Sequence, residues 1–247
     1  MKTSINFLSK LILLISLMGV LLLSNCTSIL TAKFESDAIG SDPNKNLPGD
    51  PTGDELDYVN GITNQFEVVA TPGTPSQKSL EMLNISPSGN NIPGTDLWFS
   101  YMGKSTNFTN PMTFTWTGIN DFSSNTPFLL VSISDGQSVE AARIRFEGNG
   151  DVILIDDLAG TDKTNIGSIN DGERYTVLLT VRLADGVFNI SILKPSGNIN
   201  IQNHQLLTSD ITVYHNPARP TVSFRFSGGT SANKLTVDEV FIRRGKN

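Results

Sequence analysis

The amino-acid sequence predicts an all-β protein, a two-sheet antiparallel sandwich. From about residue 60 onward, short stretches alternate apolar and polar side chains with period two, the pattern of half-buried strands. Gly, Asn and Asp punctuate them at Asp135-Gly136, Gly148-Asn149-Gly150, Asp171-Gly172, Asp185-Gly186, Ser196-Gly197 and Gly228-Gly229. No ten-residue amphipathic helical period follows the N-terminal segment. Twelve short strands at this spacing imply two packed antiparallel sheets.

Residues 1–25 predict a signal peptide. Lys2 and Lys10 give a positive start, and Leu11 to Leu23 is apolar apart from Ser16 and Gly19. That run falls short of the ~20 residues of a spanning helix and fits an export signal. Leu23-Ser24-Asn25-Cys26 resembles the bacterial lipobox, whose cysteine is acylated and becomes residue one; Asn25 departs from the small residue usual there. The resemblance implies lipidation at Cys26 and a bacterial cell-envelope lipoprotein, expected at the outer membrane, with no spanning helix. More than one acyl chain anchors stably because each buried methylene contributes ~0.8 kcal/mol.

Cys26 is the only cysteine, which excludes an intrachain disulfide and a thiolate zinc cluster, and two histidines exclude a His-rich metal centre. The chain carries 18 basic and 24 acidic side chains, net −6; removal of Lys2 and Lys10 leaves 16 against 24, or −8. This balance argues against nucleic acid as a partner and gives no electrostatic help toward anionic lipid.

At ~150 residues per domain, the length allows one large domain or two small ones. The expected division is an acylated cysteine with a short tether at 26–31, then one sandwich over 32–247. Residues 32–37 are the expected first strand, because a linker leaves Phe34 unexplained, and 40–56 an irregular edge loop. Further strands are expected at 64–69, 78–84, 96–102, 112–117, 128–134, 141–147, 151–156, 174–183, 186–193, 211–214, 221–227 and 235–243. Asp185-Gly186 predicts a two-residue hairpin and Gly148-Asn149-Gly150 a second, since Gly accepts positive φ.

Phe34-Glu35-Ser36 with Ala38-Ile39-Gly40, Lys78-Ser79-Leu80-Glu81-Met82-Leu83, and the closing Leu235-Thr236-Val237-Asp238-Glu239-Val240-Phe241-Ile242-Arg243-Arg244 resemble concanavalin A-like jelly-roll domains of LamG and glucanase type. The resemblance spans 32–247 and implies a jelly roll whose opening and closing strands lie close together. It also implies a structural Ca²⁺ near those strands, held by carboxylates and carbonyls. Glu35, Asp37 and Asp238 stand at the matching positions, and Ca²⁺ is the one cofactor expected. Asp238 has the phase of Val240 and Ile242, so alternation points it inward.

Alternation also assigns the other faces. Tyr175, Val177, Leu179 and Val181 point in, as do Phe188, Ile190 and Ile192; Ala142, Ile144 and Phe146; and Val222, Phe224 and Phe226. Five of the eight arginines then fall mid-strand on polar faces: Arg143, Arg145, Arg174, Arg182 and Arg225. Beside Asn, Ser and Thr they can hydrogen-bond sugar hydroxyls or pair bidentately with uronate or sulfate. The structural alternative is pairing with Glu140, Glu147 or Asp156 across strands. Trp98 faces away from Leu97, Phe99 and Tyr101 and is the candidate stacking platform; Trp116 shares the phase of Met112 and Phe114 and reads as core.

Retaining glucanases of this type carry Glu-x-Asp-x-(x)-Glu on one strand, because two carboxylates must flank the scissile bond at ~5–5.5 Å. No such run occurs, and Asp156-Asp157 point to opposite faces. Jelly-roll alginate lyases use a Gln-x-His element with Tyr and Arg. Gln202-Asn203-His204 and Tyr214-His215 echo it, with Gln202 and His204 on one face; the other reading of both histidines is surface loop. No Ser-His-Asp or P-loop pattern stands out, and no catalytic residue is assigned. The expected protein is a non-catalytic carbohydrate-binding sandwich with two partners, the membrane through its acyl anchor and a polysaccharide. The alternatives are a lyase or glycoside hydrolase of the same fold, and a surface domain for adhesion or protein interaction.

Overall fold

The computed structural model describes residues 26–41, 43, 56–60, 66–84, 96–100, 108, 111–125, 127–215, 218–227 and 233–245; the signal segment 1–25, Tyr101 and most of 40–56 lie outside them. The described residues form fifteen strands: β1 (Cys26–Lys33), β2 (Leu56–Asn60), β3 (Phe66–Thr71), β4 (Thr74–Leu83), β5 (Asp96–Ser100), β6 (Met112–Phe122), β7 (Phe128–Ser134), β8 (Glu140–Glu147), β9 (Asp151–Ile155), β10 (Lys163–Ser168), β11 (Arg174–Arg182), β12 (Val187–Leu193), β13 (Ile199–Gln205), β14 (Thr221–Ser227) and β15 (Asn233–Gly245).

They pair into two antiparallel sheets. The eight-stranded sheet runs β13-β12-β11-β6-β15-β4-β3 with β1 added alongside β15, and the seven-stranded sheet runs β10-β9-β8-β7-β14-β5-β2. Period-two burial along β6, β11 and β14 turns one face of each sheet toward the other. Rings from both sheets meet between the layers. Phe224 of β14 lies edge-on to Phe99 of β5 at 6.0 Å and to Trp116 of β6 at 5.8 Å. Phe146 of β8 stacks on Tyr175 of β11 at 5.2 Å, and the Tyr175 hydroxyl donates to Asn120 Oδ1 at 2.9 Å. Fully burying such a side chain stabilises by ~1.5–3 kcal/mol. Trp116 is therefore core, as its phase predicts.

The opening differs from expectation. Residues 26–31 are not a tether: they begin β1, whose register sets Cys26 opposite Gly245 and Lys33 opposite Glu239. Phe34 follows the strand and is buried, while Glu35 and Ser36 lie in a turn. Residues 211–213 form a 3-10 turn rather than a strand. The β11–β12 hairpin is also longer than two residues: Arg182 pairs with Val187 around a four-residue loop, with Gly186 at φ +67°. The Gly148-Asn149-Gly150 hairpin forms, joining β8 to β9, with Gly150 at φ +93°.

Two β-bulges change side-chain phase. One lies between Val237 and Glu239 of β15, so Val237 and Val240 are both buried and Asp238 is the extra residue. Asp238 therefore leaves the inward phase and meets Arg174 and Ser79, whose own alternation puts them on the outer face. The other sets Gln202 and Asn203 opposite Asn189 alone, with Asn203 at φ +55°. It separates Gln202 from His204: Gln202 is exposed, whereas His204 aligns with Phe188, edge-on to its ring at 5.1 Å.

Candidate functional site

The outer face of the seven-stranded sheet carries a groove of about 760 Å³. Its floor is set by strand register. Residues directly opposite across a sheet share a face, and one such row reads Trp98 (β5), Ser223 (β14), Ser132 (β7), Arg143 (β8). A neighbouring row reads Ser100, Thr221, Ser134, Glu140, and on the other side Arg225 lies opposite Leu130. Three strand spacings of ~4.8 Å put Trp98 and Arg143 ~14 Å apart along their row. Leu97 and Phe99 are buried while Trp98 is half-exposed to the groove, as its phase predicts.

The five expected arginines divide. Arg143 and Arg225 line the groove together with Trp98. Arg143 is ion-paired with Glu140 and donates to the Leu158 carbonyl at 3.0 Å, and Arg225 and Trp98 each keep a further contact. Arg145, Arg174 and Arg182 do not join the groove. Arg145 lies over the Phe128 ring of neighbouring β7 at 3.7 Å and donates to Glu147, two residues on along its own strand, at 2.9 Å, so its carboxylate pair runs along β8 and not across strands as expected. Arg174 and Arg182 belong to the other sheet, where Arg174 pairs with Asp238, and Arg182 with Asn203 and, at 3.1 Å, Asp185.

A turn at residues 135–139 walls one end. Asp135 is fully buried, and its Oδ1 accepts from the backbone N–H groups of Gln137, Ser138 and Val139 at 2.9–3.2 Å. Its Oδ2 accepts from the His215 backbone at 3.0 Å and lies 2.7 Å from His215 Nδ1. Burial pushes the Asp135 carboxyl up, but hydrogen bonds from His215, Gln137 and Val139 outweigh it and hold the group below the ordinary carboxylate value. Gly136 sits at φ +75°, and a Cβ there would fall 2.0 Å from the Arg219 carbonyl, so only glycine permits this approach.

The residues expected at a calcium site lie against side-chain cations. Among the described residues no three His, Cys, Asp or Glu side chains are grouped to share a metal ion. The Lys78 ammonium donates to the carbonyls of Glu35 at 2.8 Å and Asp37 at 2.5 Å, while Asp238 is taken by Arg174. Burial raises the Asp238 carboxyl above its ordinary value despite Arg174. The trio Glu35, Asp37 and Asp238 therefore does not form a shared ligand set. Asp156 and Asp157 close the β9–β10 connection: Asp156 accepts from Thr164 and lies 2.7 Å from His204 Nε2, and Asp157 accepts from Thr161. His204 is thus a strand residue tied to Asp156.

No protein-family model matches the chain, and no curated protein matches its sequence. Solved structures match its shape. Arcelin-5, a lectin-like defense protein from Phaseolus vulgaris, aligns at TM-score 0.50 and 10% identity, covering 90% of this chain and 100% of that one. This is a concanavalin A-like jelly roll. A carbohydrate esterase from the Shiga toxin-encoding bacteriophage phi24B aligns at TM-score 0.51 and 9% identity over 90% of this chain and 100% of that one. A sialidase aligns at TM-score 0.53 and 10% identity over 74% of this chain, which spans only 16% of the sialidase. These identities establish fold and leave activity to the site itself.

The groove of this jelly roll contains one arginine that strand reasoning missed. Arg219 precedes β14, outside any alternating stretch, yet it continues the odd-numbered phase of Thr221, Ser223 and Arg225. That phase was the available signal. Its guanidinium makes no ion pair among the described residues, and its backbone N–H donates to the Asp135 carbonyl at 2.8 Å, which fixes it against the end wall. Ser223 and Ser132, opposite each other on the floor, also make no side-chain hydrogen bond among the described residues, so their hydroxyls are available to a ligand.

Proposed function

We propose that this jelly roll binds carbohydrate in the groove of its seven-stranded sheet without catalysing a reaction, and that an acylated Cys26 holds it at a bacterial envelope membrane, the outer one. The row Trp98, Ser223, Ser132, Arg143 carries the binding reading. A sugar ring has an apolar face and a rim of hydroxyls, so it needs an indole to stack on and donors and acceptors beside it. The row supplies both on rigid strands. The anchor rests on the sequence: a positive start, an apolar run of export length, and a single cysteine at the lipobox position. Among the described residues no helix is long and apolar enough to cross a membrane.

The test is affinity electrophoresis of the full-length chain, in detergent, through gels containing a panel of soluble polysaccharides. Retardation by at least one polymer, lost in Trp98→Ala, is expected. Unretarded migration through the whole panel overturns the reading.

A second reading, a glycan-active enzyme, draws on the Asp135–His215 pair. A buried carboxylate beside Nδ1 fixes the imidazole, whose side chain is 42% exposed beside the 135–139 turn, although His215 does not itself line the groove. Product release from the bound polysaccharide, abolished by His215→Ala, would favour it; identical chain length after prolonged incubation excludes it.

A further inference from the structure

We propose that the groove takes an extended acidic polysaccharide, a polymer of uronate or sulfated sugars, in preference to a neutral chain or a single charged terminal sugar. The proposal rests on the carbohydrate reading of the groove and adds the chemical class and length of its ligand.

The first ground is charge contrast. The chain is net −6, yet the residues lining the groove include Arg143, Arg219 and Arg225 against one carboxylate, Glu140, with Asp96 opposite Arg225 in the β5–β14 register. Glu140 is already paired with Arg143. A globally acidic protein repels polyanions at long range, so a local excess of positive charge matters only to a ligand in contact with it.

The second ground is the kind of cation. The chain has ten lysines and eight arginines, but every cation lining the groove is arginine. A guanidinium presents a planar fork that matches the two oxygens of a carboxylate or sulfate, which an ammonium does not.

The third ground is spacing. Arg219 and Arg225 are six residues apart on the line of β14, ~20 Å at ~3.3 Å per residue. Arg143 lies two strands away from β14, ~10 Å at ~4.8 Å per strand. One acidic group cannot reach all three. A chain of acidic sugars laid over the hydroxyls of Ser223 and Ser132 can, with a ring on Trp98.

The test measures binding of the full-length chain to galacturonan, its methyl-esterified neutral form, chondroitin sulfate, neutral xylan and poly-glutamate, the galacturonan also as oligomers of increasing length. Expected are binding to galacturonan, to chondroitin sulfate (which carries both uronate and sulfate) or to both, at least tenfold weaker binding of the neutral polymers, and affinity that climbs over several sugars before levelling. Arg219→Ala and Arg225→Ala should each weaken acidic binding about tenfold, while Trp98→Ala weakens every polymer. Equal affinity for esterified and free galacturonan, or a single uronate binding as tightly as the polymer, overturns the acidic-polymer inference and leaves carbohydrate binding standing. Binding to poly-glutamate alone overturns both, in favour of an acidic protein partner. Binding to nothing also overturns both.

Discussion

Trp98 and Arg143 stand three strands apart in one cross-strand row, with Ser223 and Ser132 between them. Four different strands contribute one residue each. No sequence-local motif joins these side chains; register alone does. The inward neighbours Leu97, Val222, Phe224, Val131, Ile133, Ala142 and Ile144 are buried and lock that register, because a one-residue slip would exchange faces along a whole strand.

Replacing Trp98 with alanine removes the stacking surface from a face that the core does not use. Ligand affinity should fall about thirtyfold, the magnitude of an interface hot spot. The thermal midpoint should stay within a few degrees of the parent. Isothermal titration with the bound polysaccharide, beside a thermal melt, checks both.

Gly136 and Gly160 form a matched pair for separating strain from collision. Both have φ near +75°, but a Cβ at Gly136 strikes the Arg219 carbonyl, whereas one at Gly160 meets nothing within 4 Å. Gly160→Ala should destabilise by ~1 kcal/mol from backbone strain alone. Gly136→Ala should lose ~2–3 kcal/mol and also displace Arg219, weakening ligand binding. Urea denaturation and titration of both variants decide this; equal losses would remove the steric argument.

Asp135 makes the turn at 135–139 acid-sensitive. Its carboxyl is held below the ordinary value in the fold. Its contribution to stability is therefore complete above the unfolded-state pKa of ~3.9 and is lost as the pH falls through the lowered native value. Asp135→Asn keeps one acceptor for the turn but sets an amide against the His215 N–H, and should destabilise by ~1–3 kcal/mol at neutral pH. The variant should also lose part of the decline in stability below pH 4, measured by urea midpoints across that range.

Cys26→Ser should abolish incorporation of labelled palmitate and move the protein from the membrane fraction to the soluble one. Circular dichroism should not change, since β1 pairs through backbone groups that serine also supplies. Palmitate incorporation by the serine variant would sink the anchor at this position.

Alternation placed Trp98, Arg143 and Arg225 correctly because their strands lie inside the seven-stranded sheet, where buried neighbours give a clean period of two. It misplaced Asp238 and His204 for one shared reason. Each lies at a β-bulge, where an extra residue advances the phase by one, and no local composition announces it. The edge strands β10 and β13 were missed for another. β10, Lys-Thr-Asn-Ile-Gly-Ser, is mostly exposed, so it carries no apolar stripe to read. The roles of Arg145, Arg174 and Arg182 depended on which sheet and which neighbour each would meet, a property of topology and not of period.

Cys26 opens β1 in one sheet, and the groove lies on the outer face of the other. The full thickness of the sandwich, with ~10 Å between its layers, separates them. Because pairing begins at residue 26 itself, an acylated Cys26 would give the domain no swivelling leash. The height of the groove above the bilayer would be set by the folded sandwich and not by a length of flexible chain.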